Sequence, residues 1–213
     1  MHLKPYISPN CEVTMADGSY KSITELSAGD EVQSYDMDGE DFDSANIHVN
    51  EQVSTKVSRI TTIEVKLSET VEVKLSPDKV WVDGMADGED GVWEESGDSK
   101  TIIFHNQTAV MGGTGLGWLV GNVDTVIKTS PTDESDEELA RKFKQIEVGV
   151  DVQLDYGDAL NTRTVESIEK RSGDDTELFY LVALEKGDSI FVNDVMVGVV
   201  RQNEDGTITT ESL

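Results

Sequence analysis

Cysteine, proline and histidine are scarce in this chain of 213 residues, which has one Cys, four Pro and three His. A single Cys excludes an internal disulfide and any metal cluster built from several cysteines. Glycine, in contrast, occurs 18 times. Together with many Val, Ile and Thr residues, this composition indicates β structure with many turns.

Long apolar runs are also missing. No stretch reaches the roughly 20 apolar residues that a membrane-spanning helix needs. The first residues lack the apolar segment of a signal peptide. The sequence therefore predicts a soluble protein with neither a signal peptide nor a transmembrane segment.

Positively charged residues are few. The chain has 17 Lys and Arg residues against 43 Asp and Glu residues, which gives a formal net charge of −26 at pH 7. A polyanionic surface repels phosphate groups, so nucleic acid and membrane partners are not expected. The charge instead favours protein partners, basic ones among them, or self-assembly. No motif indicates a cofactor.

The stretch from Asn10 to Asp36 has an order of elements that ordinary strands and turns do not need. Apolar residues alternate as in a strand, a tight turn follows, two apolar residues three apart indicate one helical turn, and a Gly-Asp break leads into the next strand. These positions are Val13 and Met15, Asp17-Gly18, Ile23 and Leu26, and Gly29-Asp30 before Val32.

This order resembles the opening block of the Hint family, the module shared by inteins and hedgehog autoprocessing domains. Members open with a nucleophilic Cys, followed by Thr-x-Val, Asp-Gly, Ile-x-x-Leu and Gly-Asp-x-Val. The resemblance implies an all-β fold in which two halves, related by a pseudo-two-fold axis, close one core.

The second half of the chain repeats the pattern of the first. Four matched pieces in the same order predict an internal duplication, which agrees with the Hint architecture. The matched pieces are 29–33 with 149–153, 56–60 with 164–168, 71–75 with 180–184, and 78–82 with 188–192.

Local patterns give further elements. Alternation before and after Ser68-Glu69 predicts two strands joined by a turn there. Leu139, Phe143 and Ile146 form an apolar stripe that predicts one short helix. The chain is thereby divided into a first Hint-like half at 1–82, a mostly irregular or β insertion at 83–147, a second half at 148–199, and a β-hairpin or arm at 200–213.

The catalytic positions of the family depart from its pattern. Hint self-processing uses a thiol that attacks the preceding carbonyl carbon. In the family, the Thr of Thr-x-Val lies five residues after that Cys. Here Cys11 occupies the Thr slot, which places Tyr6 at the nucleophile position. The second block reads Ser76-Pro-Asp78-Lys79 where the family has Thr-x-x-His, and lysine at its usual pKa cannot accept a proton.

The last block has also lost its reactive residues. Where inteins end in His-Asn, this chain has Gly198-Val199, and neither residue can shuttle a proton or cyclise. None of the three histidines, His2, His48 and His105, falls in a position that the sequence assigns to a motif. The resemblance thus implies a degenerate Hint scaffold with no catalytic residues.

These losses predict a non-catalytic structural or interaction protein, in the cytoplasm or in a virion. Hint-like modules occur in phage proteins, so a subunit of a virion or tail is one expected setting. The alternative is a self-cleaving domain that uses Cys11 with Ser76, Asp78 and Lys79 as helpers. A third possibility is a generic acidic all-β domain with a chance likeness to Hint.

An acidic turn follows the opening block. Carboxylate oxygens are ligands that Ca²⁺ accepts, although the spacing here does not match an EF-hand loop. A solvated acidic turn is therefore the favoured interpretation, and the sequence predicts no firm metal site. The weak calcium candidates are Asp36, Asp38, Asp41 and Asp43.

Overall fold

The chain forms sixteen β-strands within the residues that its computed structural model describes. Those residues are 5–35, 55–82, 91–113, 116–124, 143–155, 160–185, 187 and 189–201. The strands are β1 Tyr6–Ile7, β2 Glu12–Thr14, β3 Tyr20–Ser22, β4 Glu31–Tyr35, β5 Thr55–Leu75, β6 Asp78–Val82, β7 Val92–Ser96, β8 Lys100–His105, β9 Ala109–Met111, β10 Trp118–Val120, β11 Phe143–Gln145, β12 Asp151–Asp155, β13 Leu160–Leu184, β14 Ser189–Val192, β15 Val195–Gly198 and β16 Val200–Arg201.

Fourteen of these strands belong to one continuous sheet. Its order is β11-β10-β9-β15-β12-β13-β1-β8-β5-β4-β14-β2-β3, with β16 on β13. Two further pairings, β14 with β15 and β5 with β13, connect strands that are distant in this order. The predicted all-β class is confirmed, and β5 and β13 form the long antiparallel pair at its centre.

The opening block folds as its pattern predicts. Val13 in β2 and Val32 in β4 are both fully buried. A 3-10 helix, Ile23–Glu25, lies between β3 and β4. The Ser22 hydroxyl caps it by accepting a hydrogen bond from the Thr24 N–H at 3.4 Å, which satisfies a donor that has no partner inside the helix.

The two halves repeat the same corner. The Gly29 N–H donates to the Ile60 carbonyl at 3.0 Å, and the Gly149 N–H donates to the Val165 carbonyl at 2.9 Å. Both glycines have a positive φ, 92° and 90°, which a residue with a Cβ rarely adopts. The structural counterpart of Ile60 is therefore Val165, whereas the sequence match places Ile168 there.

The turn predicted at Ser68-Glu69 is wrong, because β5 runs unbroken through these residues. β13 pairs with β5 on both sides of Ser68, from Leu67 to Glu69 and beyond, and the register shifts there between Ser172 and Glu177. The irregularity lies between two paired segments of the same two strands. The cross-strand hydrogen bonds thus keep the chain extended where local alternation alone suggests a reversal.

The helix predicted from Leu139 to Ile146 is wrong over the part that the structure describes. Phe143–Gln145 is strand β11, paired in parallel with β10. Phe143 and Ile146 are both buried. Two apolar residues three apart fit a helical face, but here the parallel partner strand supplies the backbone hydrogen bonds and decides the conformation. Leu139 lies outside the described residues.

Strands β6 and β7 form a separate two-stranded sheet, named here the β6–β7 arm. Five residue pairs hold it together, from Asp78 opposite Ser96 to Val82 opposite Val92. Strands β8 to β11, which lie in the stretch 83–147, pair with one another or with strands of the main sheet. The predicted terminal hairpin lies mostly outside the described residues, where only β16 precedes it.

The buried side chains form two hydrophobic clusters. The larger contains the opening block and the facing sides of β5, β8, β12 and β13. The smaller cluster contains Ala109, Met111, Trp118, Val120, Phe143, Phe191 and Met196.

In the part of the chain that the structure describes, no helix is long and apolar enough to cross a membrane.

Candidate functional site

The predicted nucleophile position, Tyr6, lies inside the main sheet. Strand β1 pairs with β13 on one side, with Tyr6 opposite Leu181, and with β8 on the other. The Pro5 carbonyl accepts a hydrogen bond from the Val182 N–H at 3.2 Å. The peptide bond between Pro5 and Tyr6 is thus part of the sheet, and its orientation is fixed by hydrogen bonds.

Thr108 holds Tyr6 through a single hydroxyl group. The Tyr6 N–H donates to Thr108 Oγ1 at 3.1 Å, and the Thr108 hydroxyl donates to the Tyr6 carbonyl at 2.9 Å. A threonine hydroxyl has one donor and two acceptor positions, so it can make both bonds at once. This side chain therefore satisfies both polar backbone groups of Tyr6.

His105 contacts the Tyr6 ring. The two ring centroids are 5.2 Å apart and the ring planes are 82° apart, which is an edge-to-face contact. The Gln107 N–H donates to His105 Nδ1 at 3.2 Å, so Nδ1 is an acceptor and the proton of the neutral ring belongs on Nε2. The Thr108 N–H donates to the His105 carbonyl at 2.9 Å and closes the turn that brings both side chains to Tyr6.

The residues around Tyr6 have the spacing of the second Hint block. His105-Asn-Gln-Thr108 has two intervening residues, as Thr-x-x-His does, with the two residue types exchanged. Sequence reasoning did not single out either residue, because it considered the second block only at Ser76-Pro-Asp-Lys79. The available signal was the turn-forming stretch His105-Asn-Gln-Thr108, which directly follows the apolar part of β8.

Ser76, Asp78 and Lys79 lie at the opposite end of β8. Leu75 pairs with Lys100 at the start of β8, whereas Thr70 pairs with His105 at its end. A rise of about 3.4 Å per residue separates the two ends of β8 by about 17 Å. The structure therefore does not bring these residues, which the sequence predicts as helpers of Cys11, to Tyr6.

Asp78 is bound by the buried Arg163. The guanidinium donates from Nε to Asp78 Oδ1 at 2.9 Å and from Nη2 to Asp78 Oδ2 at 2.7 Å. Arg163 Nη1 also donates to the carbonyls of Ser76 at 3.3 Å and Asp98 at 2.9 Å. Because Asp78 precedes the rest of β6 and Asp98 follows β7, Arg163 fixes both ends of the β6–β7 arm to β13.

Ser76 and Lys79 have different surroundings. Ser76 is buried, and its hydroxyl donates to the Pro77 carbonyl at 3.1 Å and accepts from the Thr164 N–H at 3.2 Å. Lys79 is exposed, and its backbone pairs with Glu95 across the arm. The Ser76 hydroxyl thus joins β5 to β13, and the Lys79 side chain lies in contact with solvent.

Cys11 is 3% exposed within the larger hydrophobic cluster. Its Sγ lies 4.0 Å from the Ile103 carbonyl oxygen. Burial raises the pKa of the Cys11 thiol from 9.0 to about 11, although hydrogen bonds with Ile103, Asn193 and Ser8 oppose that change. At neutral pH the thiol therefore stays protonated, and a protonated thiol is a poor nucleophile.

We expect the raised pKa of Cys11 to make stability depend on pH. Above pH 9 the unfolded thiol ionises while the buried thiol does not, so the contribution of this group is full below pH 9 and is lost as pH rises through 11. Between pH 8 and pH 10.5 the free energy of unfolding of the wild type should fall by about 2 kcal/mol more than that of Cys11→Ala. Urea unfolding at both pH values measures this difference, and identical pH dependence in the two proteins would contradict it.

A tight turn connects the Cys11 region to the start of β8. Asn193 and Asp194 have positive φ values of 48° and 67°, as both central residues of a type I′ hairpin turn do. Asn193 Oδ1 accepts from the Glu12 N–H at 2.9 Å, and Asp194 forms an ion pair with Lys100. This turn between β14 and β15 thus contacts both β2 and β8.

The two ends of the described chain meet on one edge of β13. Pro5 lies beside Val182, and Val200 pairs with Ala183 one position further along. Val199, at the position that the family's last block gives to a reactive residue, is buried. The backbone before Tyr6 and the backbone after Val199 are therefore neighbours on β13.

A metal role for these residues finds no support in the described geometry. Within the described ranges, no group of three or more His, Cys, Asp and Glu side chains is placed to hold a metal ion. The weak calcium candidates Asp36, Asp38, Asp41 and Asp43 lie outside the described residues.

We predict that Thr108→Val lowers the free energy of unfolding by about 1–3 kcal/mol, because it leaves the polar backbone groups of Tyr6 without their partner in a buried position. Thr108→Ser keeps the hydroxyl and should cost less. Thr101→Val makes the same substitution at an exposed position of β8 and serves as the control. Urea unfolding checks the series, and equal losses for the Val and Ser variants at residue 108 would refute the bridging role.

Solved structures that are similar to this chain include inteins and an intein-like domain. The chain is similar to a bacterial intein-like domain from Clostridium thermocellum, with a TM-score of 0.55 and 14% identity, over 91% of this chain and 98% of that one. The DnaB intein from Synechocystis has a TM-score of 0.50 and 12% identity, over 91% of this chain and 97% of that one. The DnaX mini intein from Spirulina platensis has a TM-score of 0.50 and 12% identity, over 91% of this chain and 99% of that one.

The sequence itself matches no protein-family model and no curated protein. The likeness therefore lies in the fold and not in the sequence. It covers nearly the whole of each compared structure, and the low identity fits a divergent sequence. The chain has the Hint fold that inteins and intein-like domains share.

Proposed function

We propose that this chain is a Hint-fold module without self-processing activity that serves as a structural or interaction protein. One observation carries the proposal. The sequence register assigns the nucleophile position to Tyr6, whose backbone N–H and carbonyl are bound by the Thr108 hydroxyl and whose side chain offers no atom that can attack the preceding carbonyl carbon.

The geometry of a tyrosine side chain supports the loss of activity. An attacking atom must come within about 3–3.5 Å of the carbonyl carbon. In Tyr6 the phenol oxygen lies at the far end of a rigid ring, and so it cannot reach the carbonyl carbon of Pro5. Burial also raises the pKa of the Tyr6 phenol, which keeps this oxygen protonated at neutral pH.

The alternative, self-cleavage at Cys11, has less support. The Cys11 thiol is buried with a raised pKa, the Asp78 carboxylate is bound by Arg163, and Lys79 is exposed. These helpers have no described contact with Cys11. Cys11→Ala should therefore leave the function of the module unchanged.

The setting we propose is a larger protein assembly, of which a phage virion or tail is one example. The net charge of −26 favours basic protein partners over nucleic acid or anionic lipid. Neither the fold nor the charge requires a cofactor.

Intact mass spectrometry tests the proposal. The full chain is fused to a tag ahead of Met1 and incubated with and without a small added thiol. We expect one full-length mass in both conditions. A thiol-dependent fragment that ends before Tyr6 or before Cys11 would overturn the proposal.

The Cys11→Ala fusion is the matched control. If a fragment from the wild type disappears in this variant, the self-cleaving alternative holds and the nucleophile is Cys11. If a fragment persists in the variant, the cleavage has another cause, and Tyr6→Phe shows whether the phenol takes part.

A further inference from the structure

The β6–β7 arm is a rigidly attached element that stands outside the main sheet. Among the described residues its two strands pair only with each other. Arg163, whose side chain is 4% exposed, binds the Asp78 carboxylate at the start of β6 and the Asp98 carbonyl after β7. A surface that is already ordered loses little conformational entropy on binding, so the arm is well suited to contact a partner.

The arm exposes apolar side chains at high density. Six large hydrophobic residues are exposed among the described residues, and three of them lie on the ten residues of β6 and β7. They are Val80, Val92 and Trp93, with exposed fractions of 43%, 57% and 65%. Val80 and Val92 lie on one face of the arm and Trp93 on the other. Exposed apolar side chains on a small element mark contact sites, and Trp contributes strongly to binding energy at interfaces.

The charge of the arm selects the kind of partner. Every residue of β7 is exposed, including Glu94 and Glu95. On β6, Lys79 carries a positive charge and pairs with Glu95 across the arm. A second copy of this chain would bring another net charge of −26 and be repelled. The complementary partner is therefore a different protein that presents basic residues.

The geometry of strand β7 selects the conformation of the partner's binding segment. β7 has one neighbouring strand within the described residues, β6, and β6 is the strand whose first residue binds Arg163. As far as the described residues show, the outer side of β7 is thus the open edge of a two-stranded sheet, and such an edge accepts an extended peptide as a third strand. Alternate side chains of the added strand would face Val92 and Glu94 on one side of the sheet.

We propose that the outer edge of β7 binds an extended segment of another protein in which apolar residues alternate with lysine or arginine. This inference rests on the proposed interaction role and names its partner class. Because Trp93 and Glu94 lie on opposite faces of the arm, the apolar side chains of the segment pack on the Trp93 face and its basic side chains pair with Glu94 on the other face. Backbone hydrogen bonds to β7 set its register.

A peptide titration with the full chain tests this inference. The probe is an acetylated octapeptide of alternating Val and Lys, and its matched control is the same peptide with Glu in place of Lys. Calorimetry at 0.15 M salt should show saturable one-to-one binding of the Lys peptide alone. Trp93→Ser should weaken this binding by about tenfold or more, whereas Tyr20→Ser, which removes another exposed aromatic residue, should leave it unchanged.

A third peptide, the Val–Lys sequence with N-methylated backbone amides on alternate residues, reports on strand addition and should bind much more weakly. Equal binding of the Lys and Glu peptides, unchanged binding to Trp93→Ser, or no saturable binding would each overturn the proposal. So would a dimer in light scattering that Trp93→Ser dissociates, because a second copy would then occupy the arm. Self-cleavage is read by mass alone, so its detection would refute the proposed function without deciding the peptide result.

Discussion

Replacing Arg163 with Met is expected to lower the free energy of unfolding by about 3–5 kcal/mol, because the change leaves a partly buried carboxylate without its counter-charge. Asp78 loses two hydrogen bonds, and the carbonyls of Ser76 and Asp98 lose one each. Chemical denaturation followed by circular dichroism measures this loss.

Arg171→Met is the matched control on the same strand. Arg171 pairs with Glu72 at 2.6 Å, but the two side chains are 47% and 30% exposed, and an ion pair in solvent contributes only about 0–1 kcal/mol. Adding Asp78→Leu to Arg163→Met should recover part of the stability, because it removes the unpaired charge. Similar losses for the two arginine variants would show that Arg163 does not hold the arm.

Trp118→Ala should lower the free energy of unfolding by a similar amount, about 3–5 kcal/mol, because it creates a cavity in the smaller hydrophobic cluster. Trp118 is 1% exposed and lies between Met111 on β9 and Phe143 on β11. The same denaturation assay checks this value.

Trp118→Phe separates packing from polarity. Trp118 Nε1 is buried and has no hydrogen-bond partner among the described residues. Phe therefore keeps most of the packing and removes a donor that is unpaired, so the expected loss is below about 1.5 kcal/mol. Trp93→Ala is the surface control and should stay within about 0.5 kcal/mol of the wild type. If Phe is as costly as Ala at residue 118, the indole N–H has a partner that contributes to stability.

The parts of the fold that sequence predicts best depend on short-range chemistry. Gly29 and Gly149 need a positive φ, and Val13 and Val32 alternate with polar residues on strands that are buried on one face. Such features are visible in a few consecutive residues. They are sufficient for the all-β class, the opening block and the repeat of one corner in each half.

The wrong predictions concern residues whose partner strands are far away in sequence. Phe143 is in a strand because β10 pairs with it, and no local pattern around 143 contains that information. Ser68 is inside a strand because β13 pairs with β5 on both sides of it. In both cases tertiary hydrogen bonding outweighs a local preference.

The candidate site combines both situations. The register of the opening block places Tyr6 at the nucleophile position from sequence alone. Its neighbours His105 and Thr108 are harder to find, because the two segments 76–79 and 105–108 lie at opposite ends of the paired stretch of β5 and β8. Only the strand pairing tells which of them reaches Tyr6.

The position of Pro5 and Val200 has a mechanical consequence. Both lie on the same edge of β13, and the chain runs from Tyr6 to Pro5 in the same direction along β13 as it runs from Val200 to Arg201. Tension between segments attached outside these residues therefore acts at one point of the sheet edge. It would load the hydrogen bonds of β1 and β16 to β13 from their ends, so these bonds would break one after another before the tension reached the strands that follow β1 or precede β16.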